Sequence, residues 1–544
     1  MAISLLSVTQ ISALSTTIVQ SLTTTEIASL SATQIGAINT SGISVIDATQ
    51  LVALSTTQIK GLTTVQVSGF QSSLAFSAAQ LAVLSGQQFG ALTSSQLDSF
   101  DTTNIAAIST TQLAALSTTN FVSLDTTQIN TLNTTQLRGL TVTQLGGLET
   151  TDAVEFTSTQ VGALTTTQLR ALTATNLSAL DATQVGGLTT TQLSALTTTQ
   201  VAGLTGTDLG ELNTTQLSAF TSTQIGLLTT TNFSGLSVTT IVALNTTQLR
   251  GITATQIGAL NTTDAVEFTS TQIGAFTSTQ LGALATTNLV ALTTTQVGGL
   301  STSQLRSLTA TNLSAFDATQ VGTLSTTQVS ALTTTQLVAL NTTDFAELTT
   351  TQVNALTAAQ IGVLSATNLS AIDATTVATL STTQLGGVTT TQLAGLSTTD
   401  ALEFTSTQIG VLSTTQLRSL TAASLSALDA TQVGGLKTTQ LGALTTTQVA
   451  GLSATDTNEL STTQVGALST TQIMALTTTT IAGITETALD GLTTSQIAAL
   501  TITQIDELTT TSIVSLTTTQ VNGFTSTQVQ SFSSNQVDAY INAS

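Results

Sequence analysis

An eight-residue repeat runs through the sequence and restricts the possible folds more than any other feature. Its consensus is Leu, then Ser, Thr, Asn or Asp, then Thr or Ala, then Thr, Gln, an aliphatic residue, a variable residue, and Ala or Gly. We number these positions slots one to eight. Slot one holds Leu, Ile, Val, Phe or Tyr at every eighth residue from Leu84 to Tyr540, and an earlier run from Leu6 to Phe70 follows the same rule.

One unit of the repeat is shortened, because Phe70 and the next slot-one residue, Phe76, are only six residues apart. This is the clearest break in the chain. We therefore expect an N-terminal octad-repeat segment at residues 1–76, a continuous octad-repeat solenoid at 77–540 and a C-terminal tail at 541–544.

Slot two predicts the start of a helix in every octad. Its Ser, Thr, Asn and Asp residues are the preferred N-caps, and Gln three residues later, as in Gln58 and Gln448, completes a capping box. The apolar residues of slots one and six have the spacing of a hydrophobic staple. Each octad is therefore expected to form one short helix that ends near the next slot one.

A single continuous helix does not fit the repeat. Eight residues make about 2.2 helical turns, so an apolar stripe would rotate by roughly 80° per octad. The chain must therefore turn at every octad and stack its short helices, which predicts an α-solenoid in which the small slot eight lets backbones approach closely. The alternative is a β-solenoid with sixteen-residue coils, because Thr, Ile and Val favour strands. Disorder is a third interpretation, against which the strict apolar slots argue.

The chain lacks the residue types that carry most protein chemistry. Without Cys or His it has no thiolate, disulfide, zinc-finger or imidazole chemistry, and a Ser-His-Asp triad is impossible. Seven basic residues against 27 acidic ones, a formal net charge of -20, argue against nucleic-acid binding. No apolar run approaches the length of a membrane-spanning helix, which needs about 18 residues. We do not expect an enzyme.

A longer period lies on top of the octads. Six octads carry Asp at slot five and Glu at slot eight, and successive pairs are 56 residues apart except for one gap of 80. The pairs are Asp152 and Glu155, Asp208 and Glu211, Asp264 and Glu267, Asp344 and Glu347, Asp400 and Glu403, and Asp456 and Glu459.

The Asp–Glu pairs have three interpretations. Duplication of a 56-residue cassette accounts for their spacing. Residues three apart share a helix face, so each pair also offers two carboxylates to Ca²⁺, and these twelve residues are the candidate metal ligands. Asp alone is favoured near a helix N-terminus by the helix dipole, which leaves the Glu unexplained. The sequence predicts no other cofactor.

Slot seven holds most of the basic residues and is expected to lie in solvent. Its basic occupants are Lys60, Arg138, Arg170, Arg250, Arg306 and Arg418. All 15 Phe lie at slot one or slot six and are expected in the core.

Motifs such as Leu-Thr-Thr-Thr-Gln-Val-Ala-Gly-Leu at 444–452 resemble the Thr/Gln-rich repeats of large bacterial surface and exported proteins. That resemblance covers nearly the whole chain and implies a stalk, adhesin, sheath or filament. This sequence has no separate head, anchor or calcium-repeat domain, which favours a structural polymer.

The function expected from these features is an extracellular structural protein that assembles with itself, head-to-tail or laterally, into a filament, sheath or surface fibre. An ice-binding or adhesive surface protein is one alternative, and it requires a flat β face of regular Thr residues. A calcium-stiffened stalk of an adhesin is another. The sequence enters the repeat at once after Met1, without a basic region or apolar stretch, so we expect an extracellular or cell-surface location reached without a recognisable N-terminal signal peptide.

Overall fold

A computed structural model describes residues 3–73 and 76–543. In these residues the chain forms one short helix in almost every octad and no strand. The predicted α-solenoid of very short capped helices is confirmed. The alternative of a β-solenoid with sixteen-residue coils is wrong, because nearly every slot two begins a helix instead of continuing a strand.

Residues 1–276 form one compact unit. It begins with a 3₁₀ helix at Ile3–Leu5. The helices of its described part, α1 to α33, are Val8–Ser12, Thr16–Gln20, Thr24–Ala28, Ala32–Ile35, Thr40–Ile43, Ala48–Val52, Thr56–Lys60, Thr64–Gly69, Ala78–Leu81, Gly86–Gly90, Ser94–Leu97, Thr102–Ala107, Thr110–Ala115, Thr118–Val122, Thr126–Thr131, Thr134–Leu137, Val142–Gly146, Thr150–Ala153, Ser158–Ala163, Thr166–Leu169, Ala174–Ser178, Ala182–Gly186, Thr190–Ser194, Thr198–Ala202, Gly206–Glu211, Thr214–Ser218, Ser222–Leu227, Thr230–Ser234, Val238–Ala243, Thr246–Leu249, Ala254–Gly258, Thr262–Glu267 and Ser270–Ala275.

Residues 277–544 form a second compact unit built in the same way. The helices of its described part, α34 to α66, are Ser278–Gly282, Thr286–Ala291, Thr294–Gly298, Thr302–Ser307, Ala310–Ser314, Ala318–Gly322, Thr326–Ser330, Thr334–Val338, Thr342–Ala346, Thr350–Val353, Ala358–Gly362, Ala366–Ser370, Ala374–Thr379, Thr382–Gly387, Thr390–Ala394, Thr398–Leu402, Ser406–Val411, Thr414–Ser419, Ala422–Ser426, Ala430–Gly434, Thr438–Leu441, Thr446–Ala450, Ala454–Asn458, Thr462–Gly466, Thr470–Ala475, Thr478–Ala482, Glu486–Leu489, Thr494–Ala499, Ile502–Asp506, Thr510–Ser515, Thr518–Val521, Ser526–Ser531 and Ser534–Ala543. Of the helices in the described part of the chain, none is long and apolar enough to cross a membrane.

Helix α24 illustrates how each octad starts its helix. The Thr197 hydroxyl accepts a hydrogen bond from the Gln200 N–H, and the Gln200 side chain accepts one from the Thr197 N–H. This reciprocal pair satisfies two of the N–H groups that a helix N-terminus leaves without a partner. At Ala285 and Lys437 the N-cap side chain makes no such bond, as their residue types dictate.

The chain leaves each helix at slot one and enters the next at slot two. At the end of α13 both residues are extended, with φ −62° and ψ 138° at Leu116 and φ −61° and ψ 157° at Ser117. Two consecutive extended residues redirect the backbone. The chain therefore turns at each octad without proline, and in the described residues also without positive φ.

Slots one and six form the core of both units. Nearly all of their residues are buried, including all fifteen Phe, whereas the Thr residues of slots three and four are mostly exposed. The predicted assignment of every Phe to the core is confirmed. Burial of two large apolar side chains per octad stabilises helices that are far too short to persist alone.

Gln at slot five links each helix to an earlier one. The Gln58 side-chain amide on α7 donates to the carbonyls of Ile27 and Leu30, each at 2.8 Å, which lie at the end of α3. In the second unit the Gln448 amide donates in the same way to Leu417, at 3.0 Å, and Leu420, at 2.9 Å. The same link recurs along both units, and we call it the amide ladder.

The amide ladder and the helix packing show how many octads make one turn. Helix α7 packs on α4, three helices earlier, while its Gln58 amide reaches α3, four helices earlier. Within each unit a turn of the solenoid therefore contains between three and four octads.

Slot eight is small because two backbones meet there. A Cβ added to Gly187, at slot eight, would lie 2.2 Å from the Ser158 carbonyl oxygen. From the other side, a Cβ added to Gly162, at slot seven of the earlier octad, would lie 2.5 Å from the Gly187 carbonyl oxygen. Helix α22, which Gly187 follows, packs on α19 through this contact. The predicted close approach at slot eight is confirmed.

The shortened unit between Phe70 and Phe76 is spanned by the amide ladder. Gln96 donates to the carbonyls of Val67 and Phe70, 29 and 26 residues earlier, instead of the usual 31 and 28. The rings of Phe70 and Phe76 stack edge to face at 5.4 Å. Residues 74 and 75 of this unit, and parts of the predicted segment 1–76 and tail 541–544, lie outside the described residues, and those boundaries stay a prediction.

Candidate functional site at the Asp–Glu pairs

The Asp of each pair occupies the slot that elsewhere holds the ladder Gln. On α25 the Asp208 carboxylate accepts a 2.6 Å hydrogen bond from the Thr205 N–H, which is the accepting half of the Gln role. An ionised carboxylate has no hydrogen to donate, so Asp208 cannot make the second half, the bond to the earlier coil. The six Asp residues lie on α18, α25, α32, α42, α49 and α56, and each Glu lies at or just after the end of the same helix.

A serine hydroxyl from the earlier coil makes a hydrogen bond to the Asp in place of the absent amide–carbonyl bonds. Ser178 donates from its hydroxyl to the Asp208 carboxylate at 2.5 Å, and Ser370 donates to Asp400 at 2.7 Å. Each serine is at slot seven, 30 residues before its Asp. Three further pairs have the same bond: Ser234 with Asp264, Ser314 with Asp344, and Ser426 with Asp456.

A third carboxylate approaches the Glu of four pairs. Asp181, the N-cap of α22, acts electrostatically on Glu211 together with Asp208, and α22 packs on α25. We call each set of one Ser, two Asp and one Glu an acidic cluster. The four acidic clusters are Ser178, Asp181, Asp208 and Glu211; Ser314, Asp317, Asp344 and Glu347; Ser370, Asp373, Asp400 and Glu403; and Ser426, Asp429, Asp456 and Glu459.

Burial raises the pKa of the Glu in all four clusters, and in one cluster the pKa of the Asp is lowered. Burial, and then the charges of Asp208 and Asp181, raise the pKa of Glu211 above its ordinary 4.5. Burial also disfavours the charge of Asp400, but the hydrogen bonds from Ser370 and Ser397 outweigh it and lower the pKa of Asp400. The Oε2 atoms of Glu211 and Glu459 are buried without a hydrogen-bond partner in the described structure.

The two remaining Asp–Glu pairs are incomplete versions of the cluster. Glu155 accepts a 2.9 Å hydrogen bond from the Thr126 hydroxyl, and Val122 stands where the other clusters have Ser. Ser237 stands 30 residues before Glu267, where the complete clusters have the third carboxylate. Burial followed by the Asp264 charge raises the pKa of Glu267.

The arrangement does not resemble a metal centre. Within residues 3–73 and 76–543, no group of three or more acidic side chains is placed so that it could hold a metal ion. The calcium role of the twelve Asp and Glu residues stays a prediction.

The sequence did not reveal two features of this site. The donor role of slot five and the third carboxylate both depend on which octads are neighbours, and that follows from the number of octads per turn. A signal was present, because Leu-Ser-Ala, an apolar residue and Asp recur at a fixed distance before each complete pair, as in residues 177–181 before Asp208 and Glu211. The six basic residues of slot seven are exposed, as predicted.

Comparison with known proteins supports the repeat assignment. Residues 273–310 match a family model described as the ALTTAQ repeat. The matched stretch contains Ala-Leu-Thr-Thr-Thr-Gln at 291–296. No curated protein compared with the chain matches it. The chain is thus a Thr-rich repeat protein of short helices that is similar, over residues 273–310, to the ALTTAQ repeat.

Proposed function

We propose that this protein is an extracellular or cell-surface structural protein, without catalytic activity, that assembles with copies of itself into a filament, sheath or fibre. The amide ladder is the observation that carries the proposal. Most octads use the same amide donor on one side and the same carbonyl acceptors on the other, as Gln58 does with Ile27 and Leu30. A coil of one chain can therefore be continued by a coil of another, which is a head-to-tail contact that does not close on itself.

Gln10 offers a specific contact for such assembly. It is exposed, and its Oε1 accepts a 2.8 Å hydrogen bond from the Ser7 N–H. Its Nε2 donates to no carbonyl within the described part of the chain, unlike Gln58. A second copy presenting slot-one and slot-six carbonyls would be a suitable acceptor.

The net charge of -20 distinguishes two modes of assembly. Lateral association brings like-charged surfaces together and should increase when salt screens them. Head-to-tail association through amide–carbonyl bonds should depend much less on salt.

Negative-stain microscopy and sedimentation velocity of the purified full chain test the proposal. We expect fibres whose length rises with protein concentration. Gln10→Glu keeps the oxygen that Ser7 uses but removes the donor, so it should shorten head-to-tail fibres while leaving the melting temperature of the unassembled chain unchanged. Monomers at every concentration and salt level would contradict self-assembly.

The alternatives have less support. The ice-binding alternative depends on a flat β face, and the described residues contain no strand. A calcium-stiffened stalk depends on the Asp–Glu pairs, and calorimetric titration with Ca²⁺ tests it. We retain calcium only as that secondary possibility, and propose neither a nucleic-acid partner nor another cofactor.

A further inference from the structure

The acidic clusters occupy contacts that are otherwise held by neutral amides. Where Gln200 donates to the carbonyls of Leu169 and Leu172, at 2.8 and 2.9 Å, Asp208 contributes only acceptors. Glu211 adds another carboxylate at the same coil-to-coil contact, with one buried oxygen that has no hydrogen-bond partner in the described structure. A buried acceptor beside other acceptors is costly unless a donor is supplied.

Protonation of the Glu carboxylate supplies the missing hydrogen-bond donor without any other ligand. When Glu211 Oε2 takes a proton from solvent, its new O–H bond provides a donor where the buried oxygen had no partner, and one negative charge is removed from the contact. We propose, from the buried and unpartnered oxygens of Glu211 and Glu459, that these two acidic clusters are proton-operated joints, and that the two clusters with the same residue types at Glu347 and Glu403 act in the same way. Protonation of the Glu tightens the contact between its helix and the earlier coil, and loss of the proton loosens it.

The charged neighbours of these Glu residues are themselves acidic. Glu211 faces Asp208 on its own helix α25 and Asp181 at the start of α22, while α28, which also packs on α25, has no ionisable side chain. Glu347 and Glu403 likewise face the two Asp of their clusters, and the packed helices α45 and α52 have no ionisable side chain.

Glu459 has one more acidic neighbour on a packed element. It faces Asp456 and Asp429, α59 has no ionisable side chain, and α60 brings Glu486. No basic residue is among the charges that act on these four Glu residues.

The direction of the pH effect follows from the raised pKa of each Glu. A group whose pKa is higher in the folded chain binds its proton more tightly there. Its contribution to stability is complete below the ordinary value of 4.5 and is lost as the pH rises through the folded value. Asp400 acts oppositely, because its lowered pKa means that its contribution is lost as the pH falls below 3.8.

The test is the melting temperature of the full chain, followed by circular dichroism from pH 4.5 to neutral pH. The wild type should lose several degrees as the pH rises. The quadruple variant E211Q, E347Q, E403Q and E459Q should lose much less and should be the more stable protein at neutral pH. An unchanged pH dependence in that variant would overturn the proposal.

A charge-matched control separates the clusters from general repulsion. Asp98, Asp490, Asp506 and Asp538 are exposed at slot seven, and changing all four to Asn removes the same charge. This control should keep the wild-type pH dependence. If it flattens the dependence as much as the Glu variant does, net charge explains the effect and the proposal fails.

An incomplete pair provides a gain-of-function test that does not depend on the quadruple variant folding. Ser237→Asp places a third carboxylate near Asp264 and Glu267 and should steepen the pH dependence of the melting temperature, whereas Ser237→Asn should not.

Addition of calcium chloride at neutral pH distinguishes proton binding from metal binding at the clusters. If Ca²⁺ raises the melting temperature of the wild type but not of the quadruple Glu variant, the clusters are cation sites and the proposal is wrong.

Discussion

At the scale of single residues, two adjacent glycines have very different surroundings. Gly187 at slot eight has the Ser158 carbonyl oxygen 2.2 Å from the position a Cβ would take, whereas Gly186 at slot seven has no atom within 4 Å of that position. Gly187 thus has a steric reason to be small, whereas Gly186 faces open space.

This glycine pair gives a matched prediction. Gly187→Ala should destabilise the protein by about 1–3 kcal/mol, because α22 must move away from α19. Gly186→Ala should stabilise it by about 0.5–1 kcal/mol, because Ala is the better helix former at the end of α22. Chemical denaturation of the two variants measures both effects, and equal losses would contradict the packing described for slot eight.

At the scale of the helix, slot-five Gln both starts its own helix and binds an earlier one. Gln200 Oε1 accepts from the Thr197 N–H at 3.0 Å, while Nε2 donates to Leu169 and Leu172. One side chain thereby joins a local contact to one about 30 residues away in sequence.

Removing the donor should separate these two roles. Gln200→Glu keeps an accepting oxygen for Thr197 but places a carboxylate against the carbonyls of Leu169 and Leu172, so it should cost about 3 kcal/mol or more. Gln10→Glu is the control, because Gln10 is exposed and only its Oε1 is engaged by the described residues. Thermal unfolding compares them, and similar stability of the two variants would argue against the ladder.

Local features of these helices were predictable from the sequence, but their partners were not. Thr197 and Gln200 lie three residues apart, and a capping box needs no further information. The acceptors Leu169 and Leu172 depend on how the coils stack, which involves backbone turns at every octad. Whether Asp181 lies near Glu211 also depends on how the coils stack. The sequence therefore predicted the Asp208–Glu211 pair but not its third carboxylate.

At the scale of the whole chain, stability is built from contacts within each unit that reach only a few octads along the sequence. The ladder bonds span 28 and 31 residues, as at Gln58, and helix packing is mainly between helices three apart. Such a chain behaves approximately as a one-dimensional array of coupled repeats.

Deletion of one complete octad should therefore be tolerated. Removing residues 157–164 keeps every slot in order, and the deleted octad does not lie between the residues of any acidic cluster. Later glutamines should therefore meet carbonyls of the same slots. We expect the helical signal per residue to stay the same and the melting temperature to change by only a few degrees. Loss of all helical structure on this deletion would contradict a repeat array.

If almost every octad forms one short helix tied to its neighbours, residue-resolved amide hydrogen exchange of the full chain should show an eight-residue period. In the octad of Gln200, the N–H groups of Thr197, Gln200 and Val201 are bonded, whereas those of Thr198 and Thr199 occupy the first helical turn, where a helix leaves its N–H groups without internal partners. We expect fast exchange at slots three and four and slow exchange at slots two, five and six. Protection that alternates residue by residue, or uniformly fast exchange through the octads, would contradict this expectation.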